Sequence, residues 1–165
     1  MTDRCLILAH CALAKTVRAR DGDDGPMAQV LRFVLDHGLN FHQLPCPETL
    51  FPQGGLPREP HGKQWYEKRG FGDFCTGLAS QQAEYIAILA NAGREIVGVV
   101  GMEFSPACST IENSPSPYRP HGMFMEALKP ALAAKGLEPP FISVNEKWAT
   151  KLQADLDGLL STKLL

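Results

Sequence analysis

The sequence lacks a long apolar run. No stretch reaches the roughly 20 consecutive apolar residues that a membrane-spanning helix needs, so we expect no membrane partner. A secretory signal peptide is also missing, because Asp3 and Arg4 precede a short apolar run that turns polar at His10. We therefore expect a cytoplasmic protein and interpret this run as a first β-strand.

Clusters of basic residues are missing too. The 16 Lys and Arg residues are scattered among 18 Asp and Glu residues, and the net charge is −2. Binding to a nucleic-acid polymer depends on grouped Lys and Arg side chains that neutralise phosphates. We therefore expect no nucleic-acid polymer as a partner. The 165 residues are enough for one domain with a hydrophobic core.

Closely spaced cysteine pairs are the third absence. The chain has five cysteines, and none of them belongs to a CxxC or CxxH pair. Structural zinc sites are typically built from such pairs, so zinc is the weaker metal interpretation. Disulfides are uncommon in a reducing compartment. An odd number of scattered cysteines then favours metal binding or catalysis.

What the sequence does contain is an alternation of strand-length apolar runs with stripes of helical period. The predicted strands lie at 4–9, 40–44, 96–100 and 141–144. The predicted helices lie at 27–37, 77–92, 124–132 and 145–159. This alternation predicts an α/β fold, a single parallel sheet of about four strands with helices on both faces. Short right-handed crossovers favour the strand order 2-1-3-4.

A long segment rich in glycine and proline, residues 48–76, follows the second strand. We expect this segment to be irregular and to act as a binding loop or lid. Its aromatic and basic residues suit the covering of a planar ligand, and they are Arg58, Lys63, Trp65, Tyr66, Arg69, Phe71 and Phe74. The alternative is that the aromatic residues anchor the loop and the basic residues face solvent.

Three cysteines follow predicted strands, and they are Cys11, Cys46 and Cys108. With the order 2-1-3-4, the C-terminal ends of these strands are neighbours about 5 Å apart, at the sheet edge where ligands bind. We expect the three thiols to converge there and to hold an iron–sulfur cluster, with Glu48 beside it. Three thiolates are one fewer than a four-iron cluster requires, so one iron stays open for a substrate sulfur.

The remaining candidate residues have weaker signals. Cys5 lies within the first strand, so we interpret it as a core residue. Cys75 is either another buried thiol or a fourth ligand. We interpret His10 and His42, which border the cysteine-bearing strand ends, as core or rim residues. Glu103 is a candidate supporting residue because it is close to Ser105 in the sequence.

Several motifs together resemble the thiouracil desulfurase family and span most of the chain. They are Cys11 with Arg18 and Asp21-Gly22 downstream, Cys46-Pro47-Glu48, the Gly-Gly-Leu-Pro-Arg run at 54–58, Ser105-Pro106-Ala107-Cys108, and the segment 122–128. The resemblance implies a [4Fe-4S] cluster on Cys11, Cys46 and Cys108. It also implies a catalytic carboxylate at Glu48 and a catalytic hydroxyl at Ser105, within one desulfurase-like domain over residues 1–165. This family removes sulfur from thiolated pyrimidines such as thiouracil, without a redox change.

The resulting hypothesis is a cluster-dependent desulfidase acting on a small thiolated nucleobase or nucleoside by hydrolytic C=S cleavage. Glu48 would activate water, Ser105 would position that water or pass a proton, and the open iron would take the sulfide. Two alternatives stay open: a non-catalytic cluster or metal-binding module for sulfur or iron sensing or transfer, and a thiol enzyme without metal. Glu48 could instead cap a turn or pair with Arg58, and Ser105 could be a turn hydroxyl.

Overall fold

The short apolar runs form one parallel sheet in this structure, which is a computed structural model. Its strands are β1 Arg4–Leu8, β2 Asn40–Gln43, β3 Glu95–Met102 and β4 Phe141–Val144. All neighbouring strands pair in parallel, and the order is β2-β1-β3-β4. The predicted α/β class, the single parallel sheet and the strand order 2-1-3-4 are therefore confirmed.

The structure describes residues 3–14, 16–17, 28–57, 59–110, 122–145 and 149–161. Some predictions concern positions outside these ranges. They are the beginning of the first helix at residue 27, the motif residues Arg18, Asp21 and Gly22, the basic residue Arg58, and residues 146–148 of the last helix.

The helices are grouped in two sets around the sheet. They are α1 His10–Leu13, α2 Ala28–Asp36, α3 Pro47–Leu50, α4 Lys63–Glu67, α5 Phe71–Asn91, α6 Met123–Ala133 and α7 Ala149–Ser161. Helix α5 packs against α6, and α2 packs against α7. Within the described ranges, no helix has the length and apolar character needed to cross a membrane.

Strand β3 is central, lying between β1 and β4, and its residues 96–102 are all buried. This position explains its unbroken apolar run, because a central strand of a parallel sheet is covered on both faces. Gly98 allows α7 to approach closely, since a Cβ there would lie 2.9 Å from Cδ2 of Leu159. Glycine at this position therefore helps to set the distance between helix and sheet.

The prediction of an irregular segment at 48–76 was wrong in part. Residues 51–57 and 59–62 are irregular, but the segment also contains most of α3, all of α4 and the first six residues of α5, which begins at Phe71 instead of residue 77. Pro47 occupies the first turn of α3, where its missing N–H costs no hydrogen bond. Gly62 and Gly70 immediately precede α4 and α5. These residues mark helix boundaries and do not exclude helices.

Aromatic residues of this segment form a buried cluster. Tyr66 and Phe71 are fully buried, with ring centroids 4.5 Å apart, and Phe51 packs edge-on against Phe71 at 5.1 Å. Tyr66 and Phe71 therefore anchor the segment to the core, which is the alternative that the sequence left open. Trp65 is only partly buried and stacks on His61 at 3.8 Å.

Candidate functional site

Cys11 and Cys46 leave the sheet at the same level. Leu8, the last residue of β1, pairs with Gln43, the last residue of β2. Cys11 and Cys46 each follow three residues later, Cys11 in α1 and Cys46 immediately before α3. The pairing continues past the strand, because Leu44 N donates a hydrogen bond to Leu8 O at 2.7 Å. Both cysteines therefore lie just beyond the C-terminal edge of the sheet.

Cys108 lies on a loop that folds back onto the end of β3. Met102 N donates a hydrogen bond to Cys108 O at 2.9 Å, which returns the loop to the last residue of the strand. The N–H groups of Met123 and Phe124 at the start of α6 donate to the carbonyls of Pro106 and Ala107. These bonds satisfy donors that a helix leaves unpaired at its start. The strand end and α6 together fix the position of Cys108.

The electrostatics of Cys108 show which groups are its neighbours. Burial raises the pKa of the Cys108 thiol well above its ordinary value, and nearby negative charges on Cys46, Cys11, Glu48 and Cys75 raise it further. The structure thus brings the three predicted ligands and Glu48 to one edge of the sheet. Cys75 joins them from α5, although its signal in the sequence was weak.

The cysteines differ in exposure. Cys46 and Cys108 are buried, Cys75 is completely buried, and Cys11 is partly exposed. Cys5 is buried within β1, as the sequence analysis expected of a core residue, and burial raises the pKa of its thiol. Position along the strand thus separates Cys5 from the cysteines beyond the sheet edge.

The spacing of the donors bears on the kind of metal centre they suit. Among the residues that the structure describes, no three His, Cys, Asp or Glu side chains are close enough to bind a single metal ion. A four-iron cluster binds each thiolate through a different iron, so its ligands stand farther apart than those of one ion. Cysteine thiolates are also the usual donors for such clusters. Cys11, Cys46 and Cys108 thus offer the type of donor that such clusters use.

Glu48 is a buried carboxylate held from two sides. Its Oε1 atom accepts a hydrogen bond from the hydroxyl of Tyr66 at 2.8 Å, and this contact is buried. Its Oε2 atom accepts a longer hydrogen bond from Ser105 Oγ at 3.5 Å. The two predicted catalytic residues are therefore neighbours, although 57 positions separate them in the sequence.

Ser105 also organises the loop that carries Cys108. Its Oγ atom accepts hydrogen bonds from Ala107 N at 3.2 Å and from Cys108 N at 2.9 Å. The alternative interpretation of Ser105 as a turn hydroxyl is thus consistent with the structure, since both acceptor contacts are local. Because these two N–H groups take up its acceptor capacity, the single proton of Ser105 is directed towards Glu48.

Three glycines allow the backbone to pack closely around these residues. A Cβ at Gly54 would lie 1.9 Å from the backbone O of Glu48. A Cβ at Gly101 would lie 2.1 Å from the backbone O of Cys108, and one at Gly122 would lie 2.3 Å from the backbone O of Ala107. Only glycine fits at these positions without moving the loops. Gly54 and Gly122 belong to the segments that carry the family resemblance.

The sequence analysis missed the roles of three residues. Thr49 donates a hydrogen bond from its hydroxyl to Cys46 Sγ at 3.3 Å, and Tyr66 bonds Glu48. Burial, followed by the charge of Glu48, raises the pKa of Cys75 to about 12. Only the role of Thr49 could have been predicted from the sequence, because in a helical turn the side chain three residues after Cys46 lies next to that cysteine.

The remaining candidates are His10, His42 and Glu103. His42 bonds Gln82 of α5 through Nε2 at 2.9 Å and packs on Tyr85, as expected of a rim histidine. His10 is partly buried next to Cys11, and burial lowers the pKa of its imidazole. The buried carboxylate of Glu103 lies 3.8 Å from Lys151 Nζ of α7. Glu103 therefore ties the end of β3 to a helix.

A surface groove of about 450 Å³ lies elsewhere, at the beginning of β4. Its walls include Pro140 and Phe141, and its charged residues are Lys129 and Glu138. Because Phe141 is the first residue of β4, the groove lies at the N-terminal edge of a parallel sheet, away from the cysteines. None of the cysteines lines this groove.

Comparisons of the chain with protein-family models, curated proteins and solved structures found no match. The functional assignment therefore depends on the side chains themselves. What they provide is a group of cysteine thiols and a contact between the buried Glu48 and the partly exposed Ser105, all at the C-terminal edge of one parallel sheet.

Proposed function

We propose that this protein is a [4Fe-4S]-dependent cytoplasmic desulfidase that hydrolyses the C=S bond of a small thiolated nucleobase or nucleoside. The main support is the contact between Glu48 and Ser105 at 3.5 Å, next to the cysteine loops. A base and a hydroxyl in contact can together hold and activate one water molecule. The motif resemblance described above points to the same reaction.

In this proposal Cys11, Cys46 and Cys108 would hold the cluster, each from the segment that follows a different strand. The hydroxyl of Thr49 stabilises the negative charge on Cys46 Sγ, because hydrogen bonds to ligand sulfurs tune such clusters. When bound, a cluster with one iron that lacks a protein ligand supplies a soft Lewis acid for the sulfur of a thiocarbonyl.

The chain's own residues carry the water chemistry. Oε2 of Glu48 takes a proton from a water molecule that also binds Ser105 Oγ, and the water oxygen attacks the thiocarbonyl carbon. A hydrogen bond of 3.5 Å is weak, so a water molecule that bonds both groups can replace it. The balance is thiocarbonyl plus water giving carbonyl plus hydrogen sulfide. No electrons are transferred, so no redox partner is required.

A metal-free thiol enzyme that used Cys108 or Cys75 as its nucleophile fits these residues less well. A nucleophilic cysteine needs a lowered pKa, because the thiolate is the reactive form. Burial instead raises the pKa of Cys108 well above its ordinary value and that of Cys75 to about 12. Binding to iron favours the thiolate form, which the metal-free protein disfavours for Cys108.

The test is anaerobic reconstitution of the full chain with iron and sulfide, followed by assay with 2-thiouracil, 4-thiouracil and 4-thiouridine. We expect bound iron and release of hydrogen sulfide from at least one of these compounds. Bound iron without sulfide release would instead support a non-catalytic cluster module. A chain that binds no iron would overturn the proposal.

The variant Glu48→Gln tests the water chemistry within that assay. We expect it to keep its iron and to lose about 10²–10⁴-fold in kcat, because the amide cannot accept the proton. Glu138→Gln is the matched control, since Glu138 lines the groove at the opposite edge. Full activity in Glu48→Gln would remove Glu48 from the mechanism.

A further inference from the structure

Tyr66 contacts the proposed base directly, and the proposed function gives it no role. Its hydroxyl donates to Glu48 Oε1 at 2.8 Å, and its side chain is completely buried. A buried phenol needs a hydrogen-bond partner, and a carboxylate is a stronger one than a neutral acceptor. A phenylalanine would fill the same apolar space without this partner. The hydroxyl of Tyr66 therefore needs an explanation beyond core packing.

The ring of Tyr66 is fixed on several sides. It packs against Phe71 at 4.5 Å, against Trp65 at 5.0 Å in an edge-on arrangement, and against Phe51 at 6.4 Å. Tyr66 belongs to α4, and α4 packs against α5. A phenol held this way points its hydroxyl in one direction, so its hydrogen bond orients the carboxylate that accepts it.

The two oxygens of Glu48 have different partners as a result. Oε1 faces the buried hydroxyl of Tyr66, whereas Oε2 faces the partly exposed Ser105. Rotation of the carboxylate by a quarter turn would break both hydrogen bonds, whereas a half turn would restore them with the two equivalent oxygens exchanged. The arrangement thus selects one oxygen for the side of the site that solvent can reach.

We propose that Tyr66 is the positioning residue for Glu48, holding Oε1 so that Oε2 is the oxygen that takes the proton from water. The inference rests on the proposed function and deepens it. Catalytic geometry tolerates little displacement, and an error of about 1 Å can cost about 100-fold in rate. Tyr66 acts through Glu48 and does not itself meet the substrate.

The experiment is a double-mutant cycle with Tyr66→Phe and Glu48→Gln in the anaerobically reconstituted full chain. We expect Tyr66→Phe to lower kcat by about 10-fold to 100-fold, with KM and iron content close to those of the parent. In the Glu48→Gln background, Tyr66→Phe should produce no further loss, because residues that act as one unit are non-additive. Tyr85→Phe is the matched control, since Tyr85 is exposed on α5.

A second measurement does not depend on activity. Thermal unfolding of the apoprotein should show that Tyr66→Phe lowers Tm by about 2–4 °C, the shift expected in a chain of this length for the loss of one buried hydrogen bond. The decrease should be smaller in a Glu48→Ala background, where the acceptor is already missing. Equal decreases in both backgrounds would mean that the hydroxyl and the carboxylate are not coupled, and would overturn the inference.

The outcomes separate the two proposals. Parental kcat in Tyr66→Phe, together with an inactive Glu48→Gln, would overturn the role of Tyr66 and leave the proposed function in place. A Tyr66→Phe chain that does not fold or loses its iron would assign Tyr66 a structural role, which also overturns the inference. Absence of sulfide release from the parent chain would overturn the proposed function itself, and the catalytic role of Tyr66 with it.

Discussion

The two edges of the sheet differ in the chemistry they carry. At the C-terminal edge, four cysteines and Glu48 lie close to one another, and most of these side chains are buried. At the N-terminal edge, the groove beside β4 is largely apolar. An exposed ion pair joins Asp3 and Arg94, the residues that immediately precede β1 and β3. Parallel strands all end at the same edge, so the segments that follow β1, β2 and β3 meet there, and it is at this edge that open parallel sheets bind ligands.

The largest expected difference is between removing a cysteine at the C-terminal edge and removing a cysteine inside a strand. Cys108→Ala should abolish cluster binding and all sulfide release, because one of the three proposed ligands is lost. Cys5→Ala should keep its iron, since Cys5 lies inside β1. Iron content and the visible absorbance of anaerobically reconstituted protein provide the measurement.

Two results would break this comparison. Parental iron content in Cys108→Ala would show that Cys108 is not a ligand. Loss of iron in Cys5→Ala with retained folding would show that cluster binding is not confined to the C-terminal edge. Circular dichroism of both variants distinguishes loss of the cluster from loss of the fold.

Much of this difference between the edges could be predicted from the sequence. Continuous apolar runs at β3 and β4 specify a covered parallel sheet, and the order 2-1-3-4 then places the loops after β1, β2 and β3 side by side. The positions of Cys11 and Cys46 followed from that order alone. Local sequence patterns were sufficient to place these two cysteines because each lies three residues after the end of a strand.

The parts that were missed depend on tertiary contacts. Tyr66 and Cys75 lie in α4 and α5, both within the segment 48–76 where Gly and Pro suggested an irregular loop. Their neighbours depend on how these helices pack, which no local pattern specifies. The contact of Tyr66 with Glu48 joins positions 18 residues apart across two helices. Sequence spacing alone therefore could not identify Tyr66.

A smaller effect is expected from the close backbone packing at the site. Gly101→Ala would place a Cβ 2.1 Å from Cys108 O, so the loop or the strand must shift. We expect a loss of about 1–3 kcal/mol in the free energy of unfolding, as for other overpacked positions. Denaturant unfolding of the apoprotein measures this loss, and iron content shows whether the displaced loop still holds the cluster.

Gly77→Ala is the matched control for Gly101→Ala and should have the opposite sign. Gly77 lies within α5, is exposed, and has open space where a Cβ would be. Alanine is the better helix former there, so we expect about 0.5–1 kcal/mol of added stability. A Gly101→Ala chain as stable as the parent would show that the contact with Cys108 does not constrain the loop.

The smallest effect is expected at the opposite edge, from Arg94→Ala. This change removes the ion pair with Asp3, whose two side chains are 43% and 68% exposed. Water screens such a pair, so we expect the free energy of unfolding to change by less than about 1 kcal/mol, with unchanged iron content and kcat. The measurements are denaturant unfolding at low and at high salt, together with the sulfide-release assay. A larger loss of stability, or any loss of iron, would mean that the N-terminal edge supports the site across the length of β3, and the two edges could no longer be treated as separate.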